Sequence, residues 1–476
     1  MPLPLELIAY LAFLGSWVAL APEAKPDAAW AATAVFAAGG AGFLFSLLLE
    51  RRSRTASGPA AARPHTAALW TSAADPAARA ACAVLAASAT ALSGWPVAWM
   101  RPDADGGGFF LPCLAGLAPY GWVFLCVWWP LYPWHRRHRP GNWTRGSYLW
   151  HKMRYSLYPL PLWLPFLATT EYVSLSGPFL LAEAALCAWI APWGLRWLWN
   201  CRPAHQLPWL GLRVENLQRR AGVAFRSIHL WEPGGGATLN AAAVGLLPPF
   251  RYLFITPELA RCLPPEEFDA VVAHELGHIR HRHLLLYLIS ALTFLSLVWI
   301  AVSESGLFFP IEQVGVEILT LVVYWRFVFG WLSRRMERQA DLYVLELLGR
   351  PEPLANALER LALGMAGGRR AWSWHHGDIA GRVHFLREAA KRPALVRAHH
   401  QTVARVHGLT LAAAVLLIAY WLTAANPPAS RLARDAAADS GLAGPWTAER
   451  HWRRTARTFP SHPAGPLILA RRAWRA

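Results

Sequence analysis

The chain has 476 residues, of which 55% are hydrophobic and only 16% are charged. Soluble globular proteins carry about 25% charged residues, so the composition argues against a water-soluble enzyme and against a disordered scaffold. The formal net charge is +17, with 46 Lys and Arg against 29 Asp and Glu. These features predict a mainly α-helical polytopic membrane protein with a modest water-exposed part.

The positive charge and the cysteines exclude other classes. Arginines cluster at the ends of apolar stretches rather than along one helix, which is typical of membrane proteins and argues against a nucleic-acid partner. The six cysteines are scattered without a CxxC pair. This distribution predicts neither a disulfide framework nor a cysteine zinc site.

Apolar stretches long enough for a bilayer are frequent. A helix needs about 20 mostly apolar residues to cross the hydrocarbon core. We predict about nine spans, the fifth of which is short and rich in proline. The predicted spans are Leu3–Ala21, Ala28–Leu49, Arg79–Trp99, Phe109–Pro133, Leu157–Thr170, Gly177–Leu198, His283–Val302, Val314–Trp331 and Val403–Thr423.

The charges of the connecting segments predict the orientation of these spans. The first and third connections are slightly acidic and the second and fourth are basic, as expected for a cytoplasmic N-terminus. Residues 200–282 and 332–401 then lie in the cytoplasm. The tail after Thr423 falls outside although it holds five arginines within 453–472, so the number of spans stays open.

These segments predict six units along the chain. They are an N-terminal membrane domain at 1–199, the first part of a catalytic domain at 200–282, a transmembrane hairpin at 283–331, the second part of the catalytic domain at 332–402, a C-terminal span at 403–424 and a basic tail at 425–476.

The water-exposed middle of the chain has a different pattern. Partial alternation predicts short strands at Phe225–Trp231, Thr238–Val244 and Arg251–Thr256. Pro264, Pro265 and the two glutamates after them are typical of a helix N-terminus. We therefore predict an α+β domain with a helix that begins near residue 264.

That helix leads into His274-Glu275-Leu276-Gly277-His278, an HExxH motif. Residues four apart lie on one helix face, so both imidazoles can bind one Zn²⁺, with Glu275 beside the open coordination position. A third ligand is required. The predicted hairpin returns the chain to the same side at Ser333–Asp341, where Glu337 can complete a His₂Glu site and Asp341 can orient a ligand imidazole.

The HExxH motif together with Glu337-Arg338-Gln339-Ala340-Asp341 resembles the HtpX-like and CAAX-prenyl-protease-like family of integral-membrane zinc metalloendopeptidases. This HExxH…ExxxD pair is of the gluzincin type. The resemblance extends over about residues 200–390, through Asn240-Ala241, Phe254–Leu259 and His376–Val383. It implies a zincin-like catalytic domain and one zinc ion per chain.

The resemblance also implies roles for further residues. His376 or Arg382 is the expected donor to the substrate carbonyl, with His375 as an alternative to His376. Asn240 is expected in an edge strand to which an extended substrate adds as a new strand. Asp341 is expected to accept a hydrogen bond from an imidazole, that of His274 first of all.

The function that we expect is a zinc metalloendopeptidase of the bacterial inner membrane, with its active site facing the cytoplasm. Its expected partners are the lipid bilayer and a protein or peptide substrate associated with the membrane. A proteolytic sensor activated through the N-terminal spans or the tail is the alternative. The intact Glu275 argues against a non-catalytic adaptor. The predicted spans contain no run of acidic residues, with Glu183 alone deep in a span, and this argues against a transporter.

Overall fold

The computed structural model describes residues 28–56, 64–95, 110–138, 143–156, 186, 192–197, 199, 201–231, 239–304, 319–320, 323–363, 372–373 and 376–424. The predicted spans Leu3–Ala21 and Leu157–Thr170 and the tail at 425–476 lie outside these residues, as do most of Gly177–Leu198 and His375. The sensor alternative, which depends partly on the tail, stays a prediction.

The N-terminal part is a cluster of helices. It contains α1 (Ala28–Ala56), α2 (Pro64–Ser93), α3 (Phe110–His138) and α4 (Arg145–Ser156). Small residues of α2, including Ala78, Cys82 and Ala86, pack against Val123 and Val127 of α3. These small side chains allow the close approach of helix backbones that is typical of membrane helices.

Among the described residues, three helices are long and apolar enough to cross a membrane. They span Ala29–Arg54, Ala74–Ser93 and Pro393–Tyr420, and each overlaps a predicted span. The HExxH helix and the one after it meet the same criterion only as a pair bent by 49°. The described residues thus hold three or four candidate spans, and the total of nine stays a prediction.

The catalytic part contains a sheet of four short strands in the order β1-β2-β4-β3. The strands are β1 (Arg202–Pro203), β2 (Ser227–Leu230), β3 (Ala241–Val244) and β4 (Tyr252–Ile255). β2 is parallel to β4, whereas β3 is antiparallel to β4. The last three strands lie inside the predicted stretches, and β3 forms an edge of the described sheet.

Eight further helices lie in the described part of the chain, and α7 among them packs against β3. They are α5 (Pro208–Ala221), α6 (Pro257–Cys262), α7 (Pro265–Arg280), α8 (His283–Glu304), α9 (Gly330–Leu348), α10 (Glu352–Leu363), α11 (Ile379–Lys391) and α12 (Pro393–Ala424). A second, two-stranded sheet holds β5 (Trp372–Ser373) and β6 (Gly377–Asp378).

α7 and α9 approach each other closely at Gly277. A Cβ atom built on this glycine would lie 3.1 Å from the Cα of Ala340 and 3.1 Å from the Cβ of Tyr343. Such a distance is shorter than an ordinary carbon–carbon contact. The glycine between Leu276 and His278 therefore lets α9 pack at the distance that brings its acidic face to the histidines.

α7 lies in the protein interior, and the apolar helix follows it. Its N-terminal half carries Glu266, Glu267 and Asp269, and its inner face packs in the catalytic core. The apolar part of the bent pair of α7 and α8 is therefore α8. Arg282, between the two helices, has a left-handed backbone with φ of 56°, and the chain bends there.

Candidate metal centre

The two histidines of the motif converge on one point. α7 places His274 and His278 one turn apart, and their Nε2 atoms are 3.2 Å from each other. Glu337 faces them from α9, with one carboxylate oxygen 3.6 Å from Nε2 of His274 and the other 3.6 Å from Nε2 of His278. These residues form a group that could hold a metal ion.

The spacing of these atoms fits zinc. Four ligands at about 2.0–2.1 Å in a tetrahedron are about 3.3 Å from each other. The two imidazole nitrogens are 3.2 Å apart, close to this value, and each lies 3.6 Å from a different oxygen of Glu337; with one ligand atom from each residue, all three lie within 4.8 Å of one another. Two imidazoles and a carboxylate are also a ligand set that zinc uses in catalytic sites, where a fourth position stays open.

The buried charges around the site also fit a cation. Glu275, Glu337 and Asp341 are buried carboxylic acids, and Arg382 is the buried arginine beside them. Buried charges require compensation. Arg382 alone does not offset these three acids, so the cluster favours further positive charge between the imidazoles and Glu337, either a proton on His274 or a divalent cation.

His274 is held from behind by a buried ion pair. Its Nδ1 lies 2.9 Å from Oδ1 of Asp341, one turn along α9 from Glu337. Arg382 of α11 donates from Nε and one terminal nitrogen to the two oxygens of Asp341, at 2.9 and 2.6 Å. Its other terminal nitrogen is 3.1 Å from Glu337. The arginine thus fixes both acids of the ExxxD pair.

Charges within the site set its protonation. Burial alone would lower the pKa of His274, but the carboxylates of Asp341 and Glu337 raise it to about 10. Burial and the positive charge of His274 lower the pKa of His278 to about 3. In the metal-free protein, one imidazole is therefore protonated at neutral pH, and a metal ion must displace this proton to bind.

Glu275 lies between the two histidines in sequence and faces the edge of the sheet. Its Oε2 accepts a hydrogen bond of 2.7 Å from the backbone N–H of Ala243 in β3. Burial raises the pKa of this carboxyl, partly offset by the positive charge of His274 and by the Ala243 hydrogen bond. A carboxylate with a raised pKa beside an open metal position is suited to accept and return a proton.

Asn240 lies at the start of the edge strand. Its backbone N–H donates to Oγ1 of Thr256, and its carbonyl accepts from the N–H of Thr256. Because backbone groups alternate in direction along a strand, those of Ala241 and Ala243 point to the outer side of β3. The outer side of this strand lies next to Glu275, and among the described strands none pairs with it.

The two predicted carbonyl donors, His376 and Arg382, differ in exposure and in the number of acids that they contact. Nδ1 of His376 is 3.0 Å from Glu337, and its side chain is 48% exposed. The nitrogens of Arg382 face Asp341 and Glu337, and its side chain is only 10% exposed. His376 is therefore open to solvent at the rim of the site, whereas Arg382 is engaged by the two acids.

Sequence reasoning missed three groups around the site: the backbone N–H of Ala243, Gln339 and His400. Ala243 has no distinguishing side chain, and His400 lies 61 residues from its hydrogen-bond partner Gln339. Gln339 could have been suspected, since it lies between Glu337 and Asp341 in the ligand run.

Comparison with known proteins agrees with this geometry. Residues 204–425 match the model of peptidase family M48. The chain is 31% identical over 174 residues to a protease HtpX homolog of Methanocaldococcus jannaschii, covering 34% of this chain and 60% of that protein. A protease HtpX homolog of Aeropyrum pernix is 29% identical over 216 residues, which is 41% of this chain and 67% of that protein.

The fold comparison points the same way. The crystal structure of S. mikatae Ste24p matches with a TM-score of 0.52 at 18% sequence identity, over 76% of this chain and 100% of that one. The matched region spans about 60% of the length of the M. jannaschii relative. The fold and the site thus define a membrane protein with a metallopeptidase-like centre. Over residues 204–425 the chain is similar to peptidase family M48 and to protease HtpX homologs, and its fold is similar to that of Ste24p.

Proposed function

We propose that this chain is a membrane-embedded zinc-dependent metalloendopeptidase, with one zinc ion per chain held by His274, His278 and Glu337. The observation that carries the proposal is the spacing of the three ligand groups, 3.2 to 3.6 Å, beside the buried carboxylate of Glu275. The match of the region to peptidase family M48 supports it.

The residues of the chain divide the chemical work. Glu275 removes a proton from the attacking water and later delivers it to the leaving amine. A bound zinc supplies the positive charge that acidifies water and polarises the scissile carbonyl. His376, half exposed at the rim of the site, donates a hydrogen bond to the carbonyl oxygen as negative charge develops there.

The edge strand orients the substrate. The outward backbone groups of Ala241 and the carbonyl of Ala243 pair with an extended peptide, which brings the scissile bond beside Glu275, the acceptor of the Ala243 N–H. Main-chain pairing gives affinity with little dependence on side chains. We therefore expect broad sequence preference, with Asn240 fixing the start of the strand through Thr256.

The position of the site predicts the class of substrate. α7 ends at Arg280 and the apolar helix α8 begins at His283, so the metal site lies within a few residues of the membrane boundary. Proteins anchored in or bound to the membrane are the favoured substrates. The alternating charge of the predicted connections supports a site on the cytoplasmic face of the bacterial inner membrane.

The test uses the full chain purified in detergent. Glu275→Gln should bind zinc in the same ratio as the wild type and should not cleave a substrate that the wild type cleaves. Glu266→Gln is the matched control, because Glu266 lies on the same helix and forms an exposed ion pair with Arg350. Full cleavage by Glu275→Gln would overturn the mechanism.

The substrate class needs its own comparison. One peptide sequence is offered free in solution and fused to a membrane anchor in the same vesicles as the enzyme. We expect faster cleavage of the anchored form at equal concentration. Equal cleavage of both forms would contradict the membrane preference and would leave the zinc chemistry intact.

A further inference from the structure

A chain of hydrogen bonds leads away from His278 on the side opposite the metal position. Nδ1 of His278 is 2.9 Å from Nδ1 of His283, and Nε2 of His283 is 2.9 Å from Oε1 of Gln339. Nε2 of Gln339 is 2.8 Å from Nδ1 of His400, and Nε2 of His400 is 2.9 Å from Oε1 of Glu346. We call His283, Gln339, His400 and Glu346 the histidine relay.

Only one set of proton positions satisfies every contact of the relay with neutral imidazoles. Glu346 is an acceptor, because the hydrogen bond from His400 lowers its pKa. His400 therefore donates from Nε2 and accepts at Nδ1, where Gln339 donates. Oε1 of Gln339 then accepts from Nε2 of His283, whose Nδ1 accepts from Nδ1 of His278. This leaves Nε2 of His278 without a proton, so that its lone pair faces the metal position.

The bend between α7 and α8 makes the first contact possible. Residues five apart do not share a face of a continuous helix. The left-handed Arg282 and the 49° bend bring His283 back to His278. His283 is fully buried, and the ring of His281 stacks on it at 5.7 Å and on His400 at 5.4 Å. The rings of the relay are thus held by packing as well as by hydrogen bonds.

The relay also joins the metal site to a membrane helix. His400 belongs to α12, which is one of the helices long and apolar enough to cross the membrane. Gln339 and Glu346 belong to α9, which carries the third ligand, Glu337. The packing of α12 against α9 therefore affects the orientation of His278 directly.

Resting on the proposed zinc site, we propose that the histidine relay is a positioning device that holds His278 ready for the metal and makes metal affinity depend on the docking of α12. Gln339 and His400 are positioning residues, since they act on the metal through His278. Partners of this kind behind a ligand imidazole typically contribute 10- to 100-fold to metal affinity.

The test measures zinc affinity by competition with a chelator, in the full chain in detergent. Gln339→Leu removes two hydrogen bonds at similar volume and should lower affinity by about 10- to 100-fold. His400→Leu should lower it less. The double variant should bind no more weakly than Gln339→Leu alone, because the relay is already broken there. If the two substitutions acted through independent packing effects, their fold-losses in zinc affinity would instead multiply in the double variant.

Thr402→Val is the matched control. Thr402 is also on α12, but its exposed hydroxyl donates to the carbonyl of Ala398 within the same helix, so the change leaves the contacts of α12 with α9 in place. It should keep wild-type zinc affinity. If Gln339→Leu does not fold, His400→Leu decides, because the His400 side chain is 25% exposed.

Three results would overturn the relay: wild-type affinity in both single variants, multiplied losses in the double variant, or an equal loss in Thr402→Val. A wild-type chain that binds no zinc would instead overturn the proposed function.

Discussion

The two histidines of the motif are held by different physical means. Behind His274 stands a compact ionic group, in which Asp341 and Arg382 pair within the buried interface of α9 and α11. Behind His278 stands the histidine relay, a longer row of hydrogen bonds that ends at a half-exposed carboxylate and includes α12. The first arrangement couples the metal site to the stability of the catalytic core. The second couples it to the position of a membrane helix.

The largest expected effect is on the ionic side. Arg382→Leu leaves Asp341 and Glu337 buried without their shared cation, and breaking such a pair costs about 3–5 kcal/mol of unfolding free energy. Denaturant unfolding of the metal-free chain measures this loss. Arg213→Leu is the control, because Arg213 and Asp269 form a partly exposed pair, and such pairs contribute about 0–1 kcal/mol. Equal losses would contradict the ionic account.

The close contact between α7 and α9 positions both His274 and His278 relative to Glu337. We expect its disruption to have the second largest effect. Gly277→Ala introduces a Cβ at 3.1 Å from Ala340 and Tyr343, and such overpacking costs about 1–3 kcal/mol. The gain in helix propensity is only about 1 kcal/mol. We expect lower stability and weaker zinc binding.

Gly211→Ala in α5 is the control for this change. A Cβ at Gly211 meets nothing within 4 Å, so the propensity gain should remain and stabilise the chain by up to about 1 kcal/mol. A stabilising effect at Gly277 as well would show that the close helix contact is absent.

The buried pair of Asp341 and Arg382 should also make the free energy of unfolding depend on pH. Burial raises the pKa of Asp341, but the charge of Arg382 and the contact with His274 outweigh burial and lower it overall. A carboxyl with a lowered pKa in the folded state adds stability above its unfolded value of about 3.9, and this stability is lost as pH falls through the folded value.

Asp341→Asn lacks this titration. The difference in unfolding free energy between the metal-free wild type and Asp341→Asn should therefore shrink when pH is lowered from about 6 to below about 4. Unfolding curves at several pH values measure it. A difference that grows toward acid would contradict a buried, ionised Asp341.

The smallest effect is expected at the far end of the relay. Glu346→Gln keeps an acceptor for His400 but removes the negative charge, and the carboxylate is 42% exposed. Hydrogen bonds to charged groups are only moderately stronger than neutral ones in water. We expect a change in zinc affinity of a few-fold at most. If Glu346→Gln lost more zinc affinity than Gln339→Leu, the charge of Glu346 would matter more than the hydrogen bonds of Gln339, which would contradict this account.

The residues of the site that lie within two short runs of sequence could be predicted, whereas those that reach it through long-range packing could not. His274, His278, Glu337 and Asp341 have helical spacing within two short runs, so the pattern shows their common faces. The strands around Ile228, Ala242 and Leu253 are also visible as short apolar stretches between turns. Such local signals follow from the periodicity of helices and strands.

The rest depends on packing that no local pattern contains. The outward N–H of Ala243 reaches Glu275 only because β3 is an edge strand, and strand order is a property of the whole sheet. Likewise, His400 reaches Gln339 only through the docking of α12 on α9. The engagement of Arg382 by two acids follows from the same kind of long-range contact.

The central claim is a zinc ion held by two imidazoles and the carboxylate of Glu337. X-ray absorption at the zinc edge, on the purified full chain, tests it most directly. We predict one zinc per chain with nitrogen and oxygen ligands at about 2.0–2.1 Å and the scattering of two imidazole rings. A chain without stoichiometric zinc, or a first shell with sulfur at about 2.3 Å, would contradict the account.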